Sequence, residues 1–91
     1  MHILLTYDIA DTKYRTKVAT LLEGFGLRVN YSVFELEIKK RSLDKLLQNI
    51  KDMCAKDDSV RVYVLNKESI DKSFELLGGA KPFMKVSGYV D

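Results

Sequence analysis

The chain has 91 residues, 46% apolar and 31% charged, with 15 Lys and Arg against 13 Asp and Glu for a net charge of +2. That is the composition of an ordinary globular protein of one domain; it excludes a membrane-spanning helix, for want of a run of about eighteen apolar residues, and, with Cys54 as the sole thiol, an internal disulfide or a cysteine-built zinc site. No basic segment runs into an apolar stretch and a cleavage site, and one cysteine suits a reducing compartment, so the expectation is a cytoplasmic protein with no membrane contact.

Met1 to Tyr7 reads as a buried central strand, with His2 an ordinary residue at its start. Ile3 to Leu5 lead directly to a carboxylate at Asp8. The end of a buried strand is where the backbone leaves the sheet, so an acid there is held by a rigid element yet open to solvent and cations. Two readings are open for Asp8: a chemical group, or a turn and capping residue. Asp11 is a suitable N-cap for the segment that follows, in which Tyr14, Val18, Leu21, Leu22 and Phe25 recur at helical spacing. Gly24 and Gly26 bracket Phe25 and are expected to supply a left-handed stop. Arg15 stands in the first turn, against the helix dipole, which hints at a second task.

Leu27 to Ile38 is strand-like throughout and long for one strand. We expect a strand to about Tyr31, a reversal near Asn30 to Ser32, and a second strand to about Ile38, with Phe34, Leu36 and Ile38 on one face and Val33, Glu35 and Glu37 on the other. Lys39-Lys40-Arg41 reads as a polar loop and Ser42 as the cap of a second helix with Leu43, Leu46, Leu47, Ile50 and Cys54 on its stripe. Cys54 is explained as a small core residue. Lys56-Asp57-Asp58-Ser59 is a turn whose paired aspartates could bind a metal but read as solvent-facing turn formers. Val60 to Leu65 alternates as a strand. Lys67 to Leu77 is a weaker helical pattern on Ile70, Phe74 and Leu77, stopped by Gly78-Gly79, and Phe83 to Val90 holds a strand-like tail.

The order β α β β α β is that of the ferredoxin-like α+β sandwich: an antiparallel sheet with both helices on one face, extended here by a short C-terminal helix and a tail strand. Residues 1–91 form one domain, with a core over about 1–66 and an extension over 67–91. The uncovered sheet face needs a cover; a second copy of the chain is the natural one, with the tail as an arm on the partner's sheet edge. Lys13, Arg15, Lys17 and Arg28 lie in the same third of the chain as Asp8, and Lys39-Lys40-Arg41 follows. Such cations can grip phosphates, or form no more than a solvated helix face and a basic loop.

Tyr7-Asp8-Ile9, Arg15, the string Gly26-Leu27-Arg28-Val29-Asn30-Tyr31-Ser32-Val33-Phe34-Glu35 and Asp58-Ser59-Val60-Arg61-Val62-Tyr63 closely resemble the Cas2 family of small CRISPR-associated adaptation proteins, in register from Met1 to about Leu65. The resemblance implies a ferredoxin-like homodimer that handles RNA, DNA or both without reading sequence. It implies a metal-dependent endonuclease, or a non-catalytic DNA-holding centre for the integrase partner that inserts new CRISPR spacers. A toxin-type ribonuclease of similar fold is a further alternative. Carried over by position, Asp8 is the metal-binding acid, given once by each subunit, for Mg²⁺ or alternatively Mn²⁺. Arg15 and Arg28 are implied to stabilise charge at the phosphate, with Tyr7, Lys13, Lys17, Ser32 and Phe34 flanking the site or touching nucleic acid. Phe34 and Tyr7 are each also open to a core role. Lys17 stands where some members have a second arginine, which keeps the charge and loses the bidentate fork. Leu36 and Ile38 stand where a Phe-Glu-Gly-Glu-Leu ending is common, so the local strand shape departs from the family there.

Overall fold

The computed structural model describes residues 1–83. Its elements are β1 (His2–Asp8), α1 (Thr12–Glu23), β2 (Gly26–Asn30), β3 (Val33–Glu37), α2 (Lys40–Met53), β4 (Ser59–Leu65) and α3 (Lys67–Lys72). The four strands form one antiparallel sheet in the order β2-β3-β1-β4. This is the ferredoxin-like arrangement, with β1 and β3 inside and β2 and β4 at the edges. The tail strand expected over 83–90 lies, past Phe83, outside the described residues.

Alternation along β1 decides the two faces of the sheet. Ile3, Leu5 and Tyr7 are buried and belong to one apolar cluster with Phe34, Leu36 and Ile38 and, from the helices, Val18, Ala19, Leu22, Leu43, Leu46 and Ile50. Burial of each such side chain contributes about 1.5–3 kcal/mol, so this face holds the domain together. His2, Leu4, Thr6 and Asp8 take the other face. One end of that face is covered by the chain's own extension: Ile70 and Phe83 are buried there, with Leu4 and Leu65 packed on them. The buried Glu35 accepts a hydrogen bond from the Phe83 amide at 3.0 Å. Lys81 closes the C-terminal end of α3 by donating to the carbonyls of Ile70, Asp71 and Ser73 at 2.8, 2.9 and 2.7 Å.

Three local expectations need correction. Gly24 keeps right-handed helical angles (φ −73°), and among the described residues the left-handed region is entered only at Gly78, Gly79 and Phe83. Gly26 matters for space instead: a Cβ there would run into the Glu35 carbonyl across the strand pair. Helix α2 starts at Lys40, two residues before the expected cap, and its N-cap is Lys39, which makes no side-chain capping bond. Ser42 therefore lies inside the first turn, and Lys40 offsets its position near the positive helix end by pairing with Asp44 at 2.8 Å. Helix α3 stops at Lys72, and Phe74, Leu76 and Leu77 are exposed. Among the described residues, only Ile70 of that stripe is buried, and one turn of contact is too little to extend a short helix. Val64 shares a face with Val60 and Val62 but is exposed, since those two alone pack against the helix-side cluster.

Candidate functional site

Asp8 is the last residue of β1, opposite Ser59 of β4, and is exposed. Among the described residues its carboxylate has no hydrogen bond or ion pair. The backbone that carries it is fixed by seven register pairs to β4 and by β3 on the other side. The chain then leaves the sheet through Ile9, which is buried, and enters α1 at Asp11. Asp11 caps that helix as its sequence position suggests, accepting from the amides of Lys13 at 2.8 Å and Tyr14 at 3.2 Å.

The first-turn arginine has its second task in this loop. Arg15 donates from Nη1 to the carbonyls of Ile9 at 3.0 Å and Ala10 at 3.4 Å, and from Nη2 to the Thr12 hydroxyl at 3.0 Å. Arg28 is engaged in the same manner in the β2–β3 turn, where Nε and Nη2 donate to the Tyr31 carbonyl at 3.1 and 2.6 Å. Its guanidinium lies 5.7 Å from the Phe34 ring centroid. Neither arginine is bonded to Asp8; Nε of Arg15 and Nη1 of Arg28 have no partner among the described residues.

Tyr7 and Phe34 sit on the helix side of the sheet, both buried, with rings stacked at 6.2 Å and 25°. The Tyr7 hydroxyl donates to the Tyr31 carbonyl at 3.0 Å and its amide to the Ser32 carbonyl at 3.1 Å. These two aromatics thus pin the β2–β3 turn to the end of β1. Tyr31 itself is 85% exposed at the tip of that turn. Lys13 and Lys17 flank the Tyr14 ring on the outer side of α1, 6.0 and 5.5 Å from its centroid. The fold therefore gathers Tyr7, Arg28, Ser32 and Phe34 in one cluster at the end of β1, gathers Arg15 on the adjoining loop, and leaves Lys13 and Lys17 one helix surface away.

Asp58, expected as a solvent-facing turn residue, is instead half-buried and accepts from the amides of Ala10 at 3.1 Å and Ala55 at 2.8 Å. The signal lay in the strand pairing: an acid one residue before β4, in a sheet where β4 runs antiparallel to β1, falls beside the end of β1. Asp58 also bears on Cys54: burial first, then the Asp58 charge, raise the thiol pKa above its ordinary value. Among the described residues no group of three or more His, Cys, Asp or Glu side chains is placed to hold a metal, and no helix is long and apolar enough to cross a membrane.

Fold and site together define a ferredoxin-like α+β domain that presents one unpartnered carboxylate from the end of a central strand. Residues 1–73 match the family model for CRISPR associated protein Cas2. A Synechocystis protein named CRISPR-associated endoribonuclease Cas2 3 is 35% identical over 88 residues, 96% of this chain and 94% of that one. The crystal structure of Streptococcus pyogenes Cas2 superposes with a TM-score of 0.75 at 28% identity, over 84% of this chain and 99% of that one. A chain of a partial Cas6-RT-Cas1–Cas2 complex gives a TM-score of 0.69 at 37% identity, over 92% and 97% of the two chains. The chain belongs to the Cas2 family of CRISPR-associated proteins.

Proposed function

We propose that the protein is a CRISPR adaptation protein and a metal-dependent endonuclease, cutting phosphodiester bonds of single-stranded RNA, duplex DNA or both, as a homodimer with one Asp8 from each subunit. The observation that carries this reading is the exposed Asp8 carboxylate, left without a partner on a strand end whose backbone is tied on both sides. An acid in that setting has a face open to a cation, and none of the described residues pairs with it. The relative named an endoribonuclease supports RNA as substrate. Dimerisation is supported by the apolar side chains left open on the sheet, Val29 and Tyr63 among them, and by the free edge of β4.

A hard cation fits this donor set only in part within one chain. Mg²⁺ keeps several waters and is commonly held by one or two carboxylates, which a pair of Asp8 side chains would supply and a single one would not complete. When bound, such an ion supplies Lewis-acid polarisation of the phosphodiester. The chain's own residues do the rest. Asp8 would hold such an ion, and the Nε of Arg15 and Nη1 of Arg28, unpaired among the described residues, would take phosphate oxygens. Lys13 and Lys17 add long-range attraction for the backbone without reading bases.

A second reading is favoured by one feature: both arginines are already bonded to backbone carbonyls, which leaves a sparse site for a phosphodiesterase. Here the dimer is a DNA-holding scaffold for an integrase partner, and Lys13, Arg15, Lys17, Arg28 and Lys39 to Arg41 bind phosphates. The solved complex that contains Cas1 with Cas2 supports an integrase partner. Incubating labelled single-stranded RNA and duplex DNA with the pure protein, in Mg²⁺, in Mn²⁺ and in chelator, tests the enzyme reading. Cutting confined to the metal lanes is expected. Duplex binding with no cutting in any lane would leave the scaffold.

A further inference from the structure

We infer that Asp58 is a positioning residue for Asp8: it takes the amide of the loop that Asp8 leads into, while Arg15 takes that loop's carbonyls, so the strand-end carboxylate is aimed by a two-sided clamp. This deepens the proposed function and rests on Asp8 being the reactive group.

A loop leaving a sheet must find partners for its backbone amides and carbonyls. At Ala10 both find charged ones. The Ala10 amide donates to Asp58 Oδ1 at 3.1 Å, and the Ile9 and Ala10 carbonyls accept from Arg15 at 3.0 and 3.4 Å. Charge-assisted bonds of this kind are stronger than neutral ones. Asp58 is itself held, because its second oxygen accepts from the Ala55 amide at 2.8 Å and the next residue, Ser59, is paired with Asp8. Asp58 is therefore fixed to β4 and transmits the position of that strand to the loop two residues beyond Asp8. Thr6, Tyr7 and Asp8 have strand partners for their positions, whereas Ala10 lies past the end of the ladder. There the Asp58 bond replaces the sheet.

The alternative is that Asp58 only closes the 55–58 turn, through Ala55. The two roles separate by measurement on the full chain. Amide hydrogen exchange would be followed by NMR in the unaltered protein, in Asp58→Ala and in Asp58→Asn, which can keep one of the two bonds. Relaxation enhancement by Mn²⁺ would be recorded at the Asp8 amide, with kcat and KM for RNA cleavage beside it. Exchange at Ala10 is expected to rise about tenfold in Asp58→Ala, the scale of one lost hydrogen bond, and less in Asp58→Asn, with Ile3 and Leu5 still protected. The Mn²⁺ effect at Asp8 and kcat should fall in the same order, with KM little changed.

Unchanged exchange at Ala10 in a folded Asp58→Ala would overturn the inference. So would faster exchange with the Mn²⁺ effect and kcat both intact, because Asp58 would then be a turn lock with no bearing on Asp8. If the unaltered protein shows neither Mn²⁺ effect nor cutting, it is the nuclease reading that has failed, and the Ala10 arm alone then decides whether Asp58 holds the loop.

Discussion

The two ends of β1 carry a titratable side chain each, on the same face of the sheet, and the fold treats them in opposite ways. At the first end His2 pairs with Glu37 at 3.0 Å and meets the Phe83 ring edge-on at 5.5 Å, and the N-terminal amine donates to the Ile38 carbonyl at 2.8 Å. At the other end, apart from the Arg15–Thr12 bond, the polar partners go to backbone: Arg15, Asp58, Tyr7 and Arg28 fix the loop and the turn around Asp8, and none of them is bonded to its carboxylate. One strand thus has an end that is closed for stability and an end that is held rigid but chemically open. The comparison shows how a small domain keeps a free charge in place without neutralising it, by satisfying the main chain with side chains rather than the acid.

That contrast can be broken from the core outward. Phe34→Ala should cost about 3–5 kcal/mol, as for other fully buried aromatics, because Phe34 supports Tyr7 and the turn behind Asp8. Urea unfolding reads it, and a loss under about 1 kcal/mol would mean that the Asp8 end does not rest on the core. Glu35→Ala strips the Phe83 amide of its buried acceptor and should cost about 1–3 kcal/mol at the closed end. Any cleavage by the folded protein should change little by comparison. Glu37→Gln should matter less still, at most about 1 kcal/mol, since the His2 pair is partly exposed.

The smallest effect concerns Cys54. Its pKa is raised, so the folded state favours the neutral thiol. The resulting stability is fully present below the ordinary thiol pKa and is lost as pH rises through the raised value. Alkylation of the native protein should accordingly reach half-maximal rate at a higher pH than a free thiol does. In Asp58→Asn that midpoint should move down, though not fully, because burial is the larger cause.

Most of the sheet-and-helix order was legible because its periodicity is strong: the alternation of Phe34, Leu36 and Ile38 and the stripe from Leu43 to Ile50 each point to one face. Errors fell where local chemistry competed with packing. Ser42 is a good cap in isolation, but α2 begins at Lys40, directly behind β3, and Leu43 is already one of its core residues. Phe74 and Leu77 continue a helical stripe past the end of α3 but stay largely exposed among the described residues. Asp8 could be picked out from its place after an apolar run. That it is unpartnered among the described residues, and that Asp58 and Arg15 grip its loop, depends on the register of β1 against β4, which no local pattern encodes.

The most direct test of the central claim is metal-dependent cleavage by Asp8→Asn, purified beside the unaltered protein and matched to it in thermal midpoint. Because the Asp8 carboxylate makes no hydrogen bond or ion pair among the described residues, the substitution should leave the midpoint unchanged within about a degree or two or raise it slightly, as surface changes away from structural interactions do. Cutting of RNA or duplex should disappear. Cleavage that persists in a folded Asp8→Asn, with the same metal dependence, would place the chemistry elsewhere and contradict the account.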